Sequence, residues 1–252
     1  MKPLKFTGLI SFSVLLAVTA PATPIDLNLN ITQSLASQGW SAGPYFSPSV
    51  NYNNTGDTLN WNSMGAGTGP FTGIGYYERG LPTYDANLPW QLTWQVRINN
   101  DEPEAPGFYW AGAYTFIGLG GKGVGIGFDR DDLSVFNADG LGWTNLDIAY
   151  SHDWRSFVLS GNPLSGAFTL HIDSMLVYQG IMDASGDALY LGDATNGSNV
   201  DANTRNWHLT QIPSVPESGS VMTFVALGFG TLIAMRRRFS PKMNRKGSGC
   251  GK

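Results

Sequence analysis

The chain has 252 residues, 42% hydrophobic and 13% charged, with 32 Gly, 14 Pro and one Cys. That composition excludes collagen, coiled coil, a disulfide-stapled scaffold and wholesale disorder. The net charge of −4 hides an asymmetry: residues 23–214 hold six Lys and Arg against eighteen Asp and Glu, a net −12, while both ends are basic. An acidic body with no basic stripe repels phosphate backbones and excludes nucleic acid as a partner.

Lys2 and Lys5 precede the apolar run Leu9–Val18 and the small-residue stretch Ala20-Pro21-Ala22. This is the pattern of a secretory signal peptide over residues 1–22. The apolar run is far shorter than the roughly 20 residues that a membrane span needs.

Residues 23–214 form the expected single domain. They contain four Lys and Glu in total and all eight Trp of the protein, with abundant Gly, Asn, Thr and Ser. Helix-favouring surface residues are scarce and turn formers plentiful, so the expected class is all-β. In chain order, Trp90, Leu92, Trp94, Val96 and Ile98 alternate with Gln91, Thr93, Gln95 and Arg97, the pattern of a half-buried strand. Tyr114–Leu119 is an apolar run, and Val124, Ile126 and Phe128 alternate with glycines. Leu133–Phe136, Phe157–Leu159, Met175–Tyr178 and Ala188–Leu191 are further apolar runs. Phe168, Leu170 and Ile172 alternate with Thr169 and His171, as Trp207 and Leu209 do with His208 and Thr210. About ten such strands predict a two-sheet antiparallel sandwich of jelly-roll type, because a sheet with one apolar face must stack on another to bury it. Gly120-Gly121, Asp139-Gly140, Ser160-Gly161-Asn162-Pro163 and Ser185-Gly186-Asp187 are the expected tight turns, where Gly supplies a positive φ.

Several segments invite a chemical reading. Gly118-Leu-Gly120-Gly-Lys-Gly123 matches a dinucleotide-binding pattern, but the strand pattern of 124–128 follows it where a helix N-terminus would have to hold the pyrophosphate, so a hairpin is expected. His152, His171 and His208 stand singly, without zinc-ligand spacing, and no nucleophile elbow is present. A glycosidase needs two converging carboxylates. The one close Glu pair, Glu102-Pro-Glu104-Ala-Pro, lies in a Pro-rich stretch and reads as solvated loop charge. Acidic turns occur at Asp129–Asp132 and at 193–201; within the second, Asp193, Asn196, Asn199 and Asp201 form a candidate calcium set of hard oxygen ligands. Trp40, Tyr45, Tyr52, Trp61, Tyr76-Tyr77, Tyr109-Trp110 and Trp143 flank Gly- and Asn-rich stretches. Trp110 and Trp143, beside Pro, Gly and Asn and outside the alternating strands, are the candidate surface rings for stacking on sugars.

The order His152-Asp-Trp-Arg155, Leu170-His-Ile-Asp173, Leu191-Gly-Asp193, Asn206-Trp207 resembles the concanavalin-A-like, laminin-G-type sandwiches over about residues 90–212. Asp173-Ser174 stands where that family usually has Asp-Gly. The resemblance implies the fold and transfers no binding residue. The laminarinase-type strand Glu-x-Asp-x-x-Glu is absent.

Beyond the domain, Val221–Met235 carries no charge and is followed by Arg236, Arg237 and Arg238, then by a basic tail over residues 240–252 that includes Cys250. Fifteen residues cover about 22 Å of a roughly 30 Å hydrocarbon core. The positive cluster belongs on the cytoplasmic side. Val215-Pro216-Glu217-Ser218-Gly219-Ser220, the apolar segment and the Arg triplet together resemble the bacterial PEP-CTERM sorting signal over residues 215–239, with Ser218 in place of the second Pro and a tail longer than usual. The resemblance implies export across the inner membrane, processing by an exosortase, and delivery to the cell envelope or the extracellular polysaccharide. A single-pass anchor with its bulk outside, or a lipid-anchor signal, are the competing readings of the segment. The sequence as a whole predicts an exported, non-catalytic protein that binds carbohydrate, with a purely structural envelope protein as the alternative and a glycoside hydrolase as the third reading.

Overall fold

The computed structural model describes residues 24–44, 46–65, 74–81, 84–102, 112–128, 133–136, 142–146, 148, 152–183, 186–193 and 199–212. Among these, fifteen strands follow one another: β1 (Asp26–Asn28), β2 (Ser41–Ala42), β3 (Asn51–Thr55), β4 (Thr58–Asn62), β5 (Gly75–Gly80), β6 (Trp90–Asp101), β7 (Ala113–Leu119), β8 (Lys122–Phe128), β9 (Leu133–Phe136), β10 (Trp143–Asn145), β11 (Arg155–Gly161), β12 (Ala167–Ile172), β13 (Met175–Ile181), β14 (Ala188–Asp193) and β15 (Val200–Gln211). One short 3₁₀ turn, Ala36–Gln38, separates β1 from β2.

The strands form two antiparallel sheets. Sheet A runs β13-β12-β11-β6-β15-β4-β3, with β1 also paired to β15, and sheet B runs β10-β9-β8-β7-β14-β5-β2. β6 is central to sheet A because its alternation is strict: Trp90, Leu92, Trp94, Val96 and Ile98 are all buried, while the residues between them are half-exposed. β15 lies beside β6 along its whole length and takes two neighbours in turn on its other edge, β4 against Asp201–Thr204 and β1 against His208–Thr210. The switch falls at a register break between Arg205 and His208, where Asn206 has φ 54°; Asn tolerates the left-handed region better than other non-glycine residues.

The inner faces meet in one core that holds Trp61, Trp90, Trp94, Trp207, Phe128 and Phe157 with the aliphatic residues of β6, β7, β8, β11, β12 and β14. Trp94 stacks on Phe157 at 4.9 Å, and Trp40 meets Trp207 edge-on at 5.7 Å. The indole N–H groups of Trp40, Trp61, Trp90, Trp94 and Trp207 find no acceptor among the described residues. An unmet buried donor costs about 1–3 kcal/mol, against about 3–5 kcal/mol lost when a buried Trp is cut to Ala, so these side chains are held for their area. Every strand lies within residues 26–211, and the unit Met1–Ile212 is compact in itself.

Two turns repeat one geometry with different residues. Between β7 and β8, Gly120 and Gly121 have φ 67° and 72° and close a two-residue hairpin, which resolves the glycine pattern of 118–123 as a turn. Between β12 and β13, the same place is filled by Asp173 and Ser174, with φ 49° and 70°. The Asp173 carboxylate compensates by accepting from the Ser156 backbone N–H at 2.9 Å and from Arg155 Nε. Gly161, expected in a turn, instead ends β11 and lies beneath the Trp90 indole, where a Cβ would overlap the ring; the turn falls at 162–166, with Gly166 at φ 77°. The signal peptide, the sorting signal (Val215, Pro216, Glu217, Gly219, Arg236, Arg237 and Arg238) and the apolar segment 221–235 lie outside the described residues.

Candidate functional site

Alternation gives each sheet an inner and an outer face. On sheet B the register sets Tyr114 opposite Gly127 and Phe116 opposite Gly125. It sets Tyr190 between Phe116 and Glu78, Gly192 between Tyr114 and Tyr76, and Phe136 between Gly125 and Trp143. Tyr76, Tyr190, Phe116, Tyr114, Trp143 and Phe136 therefore share the outer face, away from the main core. Their rings touch in series: Tyr76–Tyr190 at 5.1 Å, Tyr190–Phe116 at 5.1 Å, Phe116–Tyr114 at 6.5 Å, Tyr114–Trp143 at 5.9 Å and Trp143–Phe136 at 4.6 Å. Six adjacent strands at about 4.8 Å spacing make this row about 24 Å long.

Glycines make the row possible. A Cβ on Gly123 would stand 2.6 Å from Phe116 Cζ, one on Gly125 2.7 Å from Tyr114 Cζ, and one on Gly43 2.5 Å from the Tyr76 ring. The rings thus lie across bare backbone, which only glycine permits. Tyr114 and Phe116 are nearly covered, at 4% and 5% exposure, and Tyr76, Tyr190, Phe136 and Trp143 are half-buried beside them. Burial pushes the Tyr114 phenol far above its ordinary range, and burial followed by the Glu78 carboxylate raises Tyr190. The phenols stay neutral at any physiological pH. The face offers apolar ring surfaces with hydroxyl rims, which suits ligands that present both C–H faces and hydroxyl groups.

Trp143, expected as an exposed ring in a loop, belongs to strand β10 and packs half-buried against Phe136 and Tyr114. The strand was hidden because its three residues are too short to show a period. Trp110 lies outside the described residues. Tyr114, Phe116, Phe136 and Tyr190 read in the sequence as core strand residues; the signal that could have placed them outside is the glycine at every second position of β8, opposite the aromatic positions of β7.

The candidate calcium residues do not gather. Asp193 ends β14, fully buried, and accepts from Ser63 Oγ at 2.6 Å; Ser63 Oγ in turn accepts from the Val200 N–H at 2.9 Å. Asn199 donates to Glu102 Oε2 at 2.6 Å. Asp201 lies on the outer face of sheet A, accepting from Asn60 at 2.6 Å and Asn99 at 3.1 Å, on the other side of the sheet from Ser63. Asn196 lies outside the described residues. Among the described residues no group of three or more His, Cys, Asp or Glu side chains converges. Asp193 instead joins the two sheets, and the Tyr52 hydroxyl, bonded to the Gly75 carbonyl, sits beside it; burial first and the Asp193 charge second raise that phenol well above its usual range.

Glu102 is not solvated loop charge. Its carboxylate takes the Gly65 N–H at 2.7 Å as well as Asn199, so it clasps the end of β6 to two neighbouring segments. Glu104 lies outside the described residues. The three histidines stand apart as expected: His152 Nδ1 is 3.0 Å from the Ile98 carbonyl, His208 Nε2 is 2.6 Å from Asp26, and His171 lies on β12.

No protein-family model and no curated protein sequence matches the chain. Among solved structures it is similar to a sialidase at 9% identity and a TM-score of 0.50, over 75% of this chain and 18% of the sialidase. It is also similar to the carbohydrate binding module CBM66 from Bacillus subtilis, at 11% identity and a TM-score of 0.40 over 68% of this chain and 95% of the module. A third likeness is to the cellulose induced protein Cip1, at 9% identity and a TM-score of 0.46 over 71% and 93% of the two chains. The chain spans less than a fifth of the sialidase's length. At these identities the likeness is one of fold, the two-sheet sandwich.

Proposed function

We propose that residues 23–214 form a non-catalytic jelly roll of the concanavalin-A-like type that binds polysaccharide through the outer face of sheet B. The observation that carries this reading is the row of six aromatic rings over glycine backbone, with Trp143, Phe136, Tyr190 and Tyr76 half-buried along it. Sugar rings present flat C–H faces that stack on such rings, and the phenol rims supply hydrogen bonds. The pattern of 215–239 supports export, passage through the inner membrane, processing by an exosortase and residence in the envelope or extracellular polysaccharide.

The test is retention of purified residues 23–214 on a panel of polysaccharide affinity gels, run in calcium and again in chelator. Retention on at least one gel is expected, lost in Trp143→Ala and Tyr190→Ala with the melting temperature nearly unchanged. Passage through every gel would leave a purely structural role. Release of reducing sugar from a retained polysaccharide would make the domain a glycosidase. A chelator-dependent loss of retention would restore a calcium site; equal retention in both buffers is the expected result.

A further inference from the structure

The outer face of sheet A is polar, and one positive charge on it has no counter-charge among the described residues. Arg97 and Arg205, two of the six Lys and Arg in residues 23–214, stand with His152 around Trp154. The Arg205 guanidinium lies 4.1 Å from the Trp154 ring centroid, donates from Nε to Gln95 at 2.8 Å and from Nη1 to Asp57 at 3.2 Å. Its charge is met. The Arg97 guanidinium lies 5.2 Å from the same ring and donates from Nε to Asn99 Oδ1 at 3.1 Å. Among the described residues no carboxylate reaches it. Asp57 is taken by Arg205, Asp201 by Asn60 and Asn99, and Asp153 is engaged elsewhere. In a domain of charge −12, a guanidinium that no described carboxylate reaches gains from an incoming anion.

Arg97 also faces a site with shape. A pocket of about 380 Å³ opens against Arg97, Ile98, Asn99 and His152. Stacking on Trp154 and the Nε bond to Asn99 fix the plane of the guanidinium, and among the described residues nothing bonds its two Nη groups; that fork matches a carboxylate in bidentate geometry. Asn99 is itself held by Asn203 at 3.2 Å and Asp201. His152 donates from Nδ1 to the Ile98 carbonyl, and its Nε2 remains to bond a hydroxyl. A preset guanidinium fork and an imidazole nitrogen beside one shallow, open depression suit the carboxylate of a sugar.

We propose that the Arg97–Asn99–His152 pocket binds the carboxylate of an acidic sugar residue, a second saccharide contact on the sheet opposite the aromatic row. The choice of a sugar as carrier rests on the polysaccharide reading; the anion site rests on Arg97 alone. The test is calorimetric titration of residues 23–214 with a galacturonate trisaccharide and with the neutral galactose trisaccharide. The galacturonate is expected to bind at least tenfold tighter than the neutral sugar. Arg97→Gln should abolish that preference, Arg97→Lys should weaken it because one ammonium replaces the fork, and the exposed His152→Ala should weaken binding several-fold in a domain that stays folded. Trp143→Ala should leave the preference intact while removing retention on neutral gels, so that loss of one site is distinguishable from loss of the other. Equal binding of the two trisaccharides by the unmodified domain, or full galacturonate binding by Arg97→Gln, would overturn the proposal. Displacement of the trisaccharide by acetate at equal concentration would reduce the pocket to an unspecific anion site and overturn the sugar assignment.

Discussion

On sheet B the outer face is a row of rings laid over Gly123, Gly125 and Gly43, whereas on sheet A it is a mesh of short polar bonds. There Asn60 bridges Asp201 and Asn203, Gln95 joins Ser156 and Arg205, and Gln91 reaches Ser160 at 3.3 Å. One face is fixed by shape and the other by hydrogen bonding. A face fixed by shape tolerates no added atom beneath its rings, because the backbone is the floor. A mesh of half-exposed amides exchanges partners with water at small net cost. The two faces should therefore respond to mutation very differently, although they share one core.

The largest effect is expected at Gly192, whose φ is 129° and whose added Cβ would overlap the Tyr52 hydroxyl and stand 2.6 Å from the Gly75 carbonyl oxygen. Gly192→Ala should cost about 3 kcal/mol or more, measured by urea unfolding, and a midpoint equal to that of the unmodified domain would show the seam at Tyr52 to be yielding. Next, Gly125→Ala should cost about 1–3 kcal/mol and weaken retention on polysaccharide gels. Its counterpart on sheet A, Thr93→Val, should stay within about 0.5 kcal/mol. Similar losses in the two variants would erase the contrast between the faces.

A third effect appears only at alkaline pH. Unfolded tyrosines ionise near pH 10, whereas burial holds Tyr114 and Tyr52 well above that in the folded domain. Stability should be at its full value below about pH 10 and fall as pH rises toward the folded-state values, since the unfolded chain loses its protons first. Absorbance titration at the phenolate band should show these phenols ionising only as the domain unfolds. A smooth early titration of every tyrosine would mean that the sheet B face opens to water. The smallest effect is a gain. The sheet B hairpin uses Gly120-Gly121 where the sheet A hairpin uses Asp173-Ser174 at the same positive φ, so Ser174→Gly should stabilise by about 0.5–1 kcal/mol in thermal unfolding. No gain would show that Ser174 is unstrained there.

The sequence carried the sandwich because its inner faces obey a simple period. Trp90 to Ile98 alternate without exception, and each of those apolar residues is buried. It carried less of sheet B, whose β7 and β8 are covered on both sides; an unbroken apolar run does not say which residues face the core. Tyr114 and Phe116 were therefore indistinguishable from Ile117 and Leu119. Trp143, expected as a surface ring in a loop, lies off the main core in a three-residue strand. The described members of the calcium set do not gather: Asp193 and Asp201 are close in sequence, yet Asp193 ends β14 of sheet B and meets Ser63 between the sheets, while Asp201 belongs to β15 and meets Asn60 and Asn99 on the outer face of sheet A. Arg97 drew no attention in the sequence, because an arginine on a half-buried strand is ordinary until its missing counter-charge is seen.

β15, the last strand among the described residues, lies in the middle of sheet A, between β6 on one side and β4 and β1 on the other. A chain delivered N-terminus first, from a ribosome or through a pore, holds β3-β4 and β6-β11-β12-β13 as two unjoined pieces until Gln211 has emerged. Each piece keeps an apolar face that its own residues do not cover, and the joining contacts span more than a hundred residues, for instance Trp61 to Ala202. Such long-range closure is slow and comes late. The nascent polypeptide thus stays threadable over almost its entire length, and maturation waits on its final dozen strand residues.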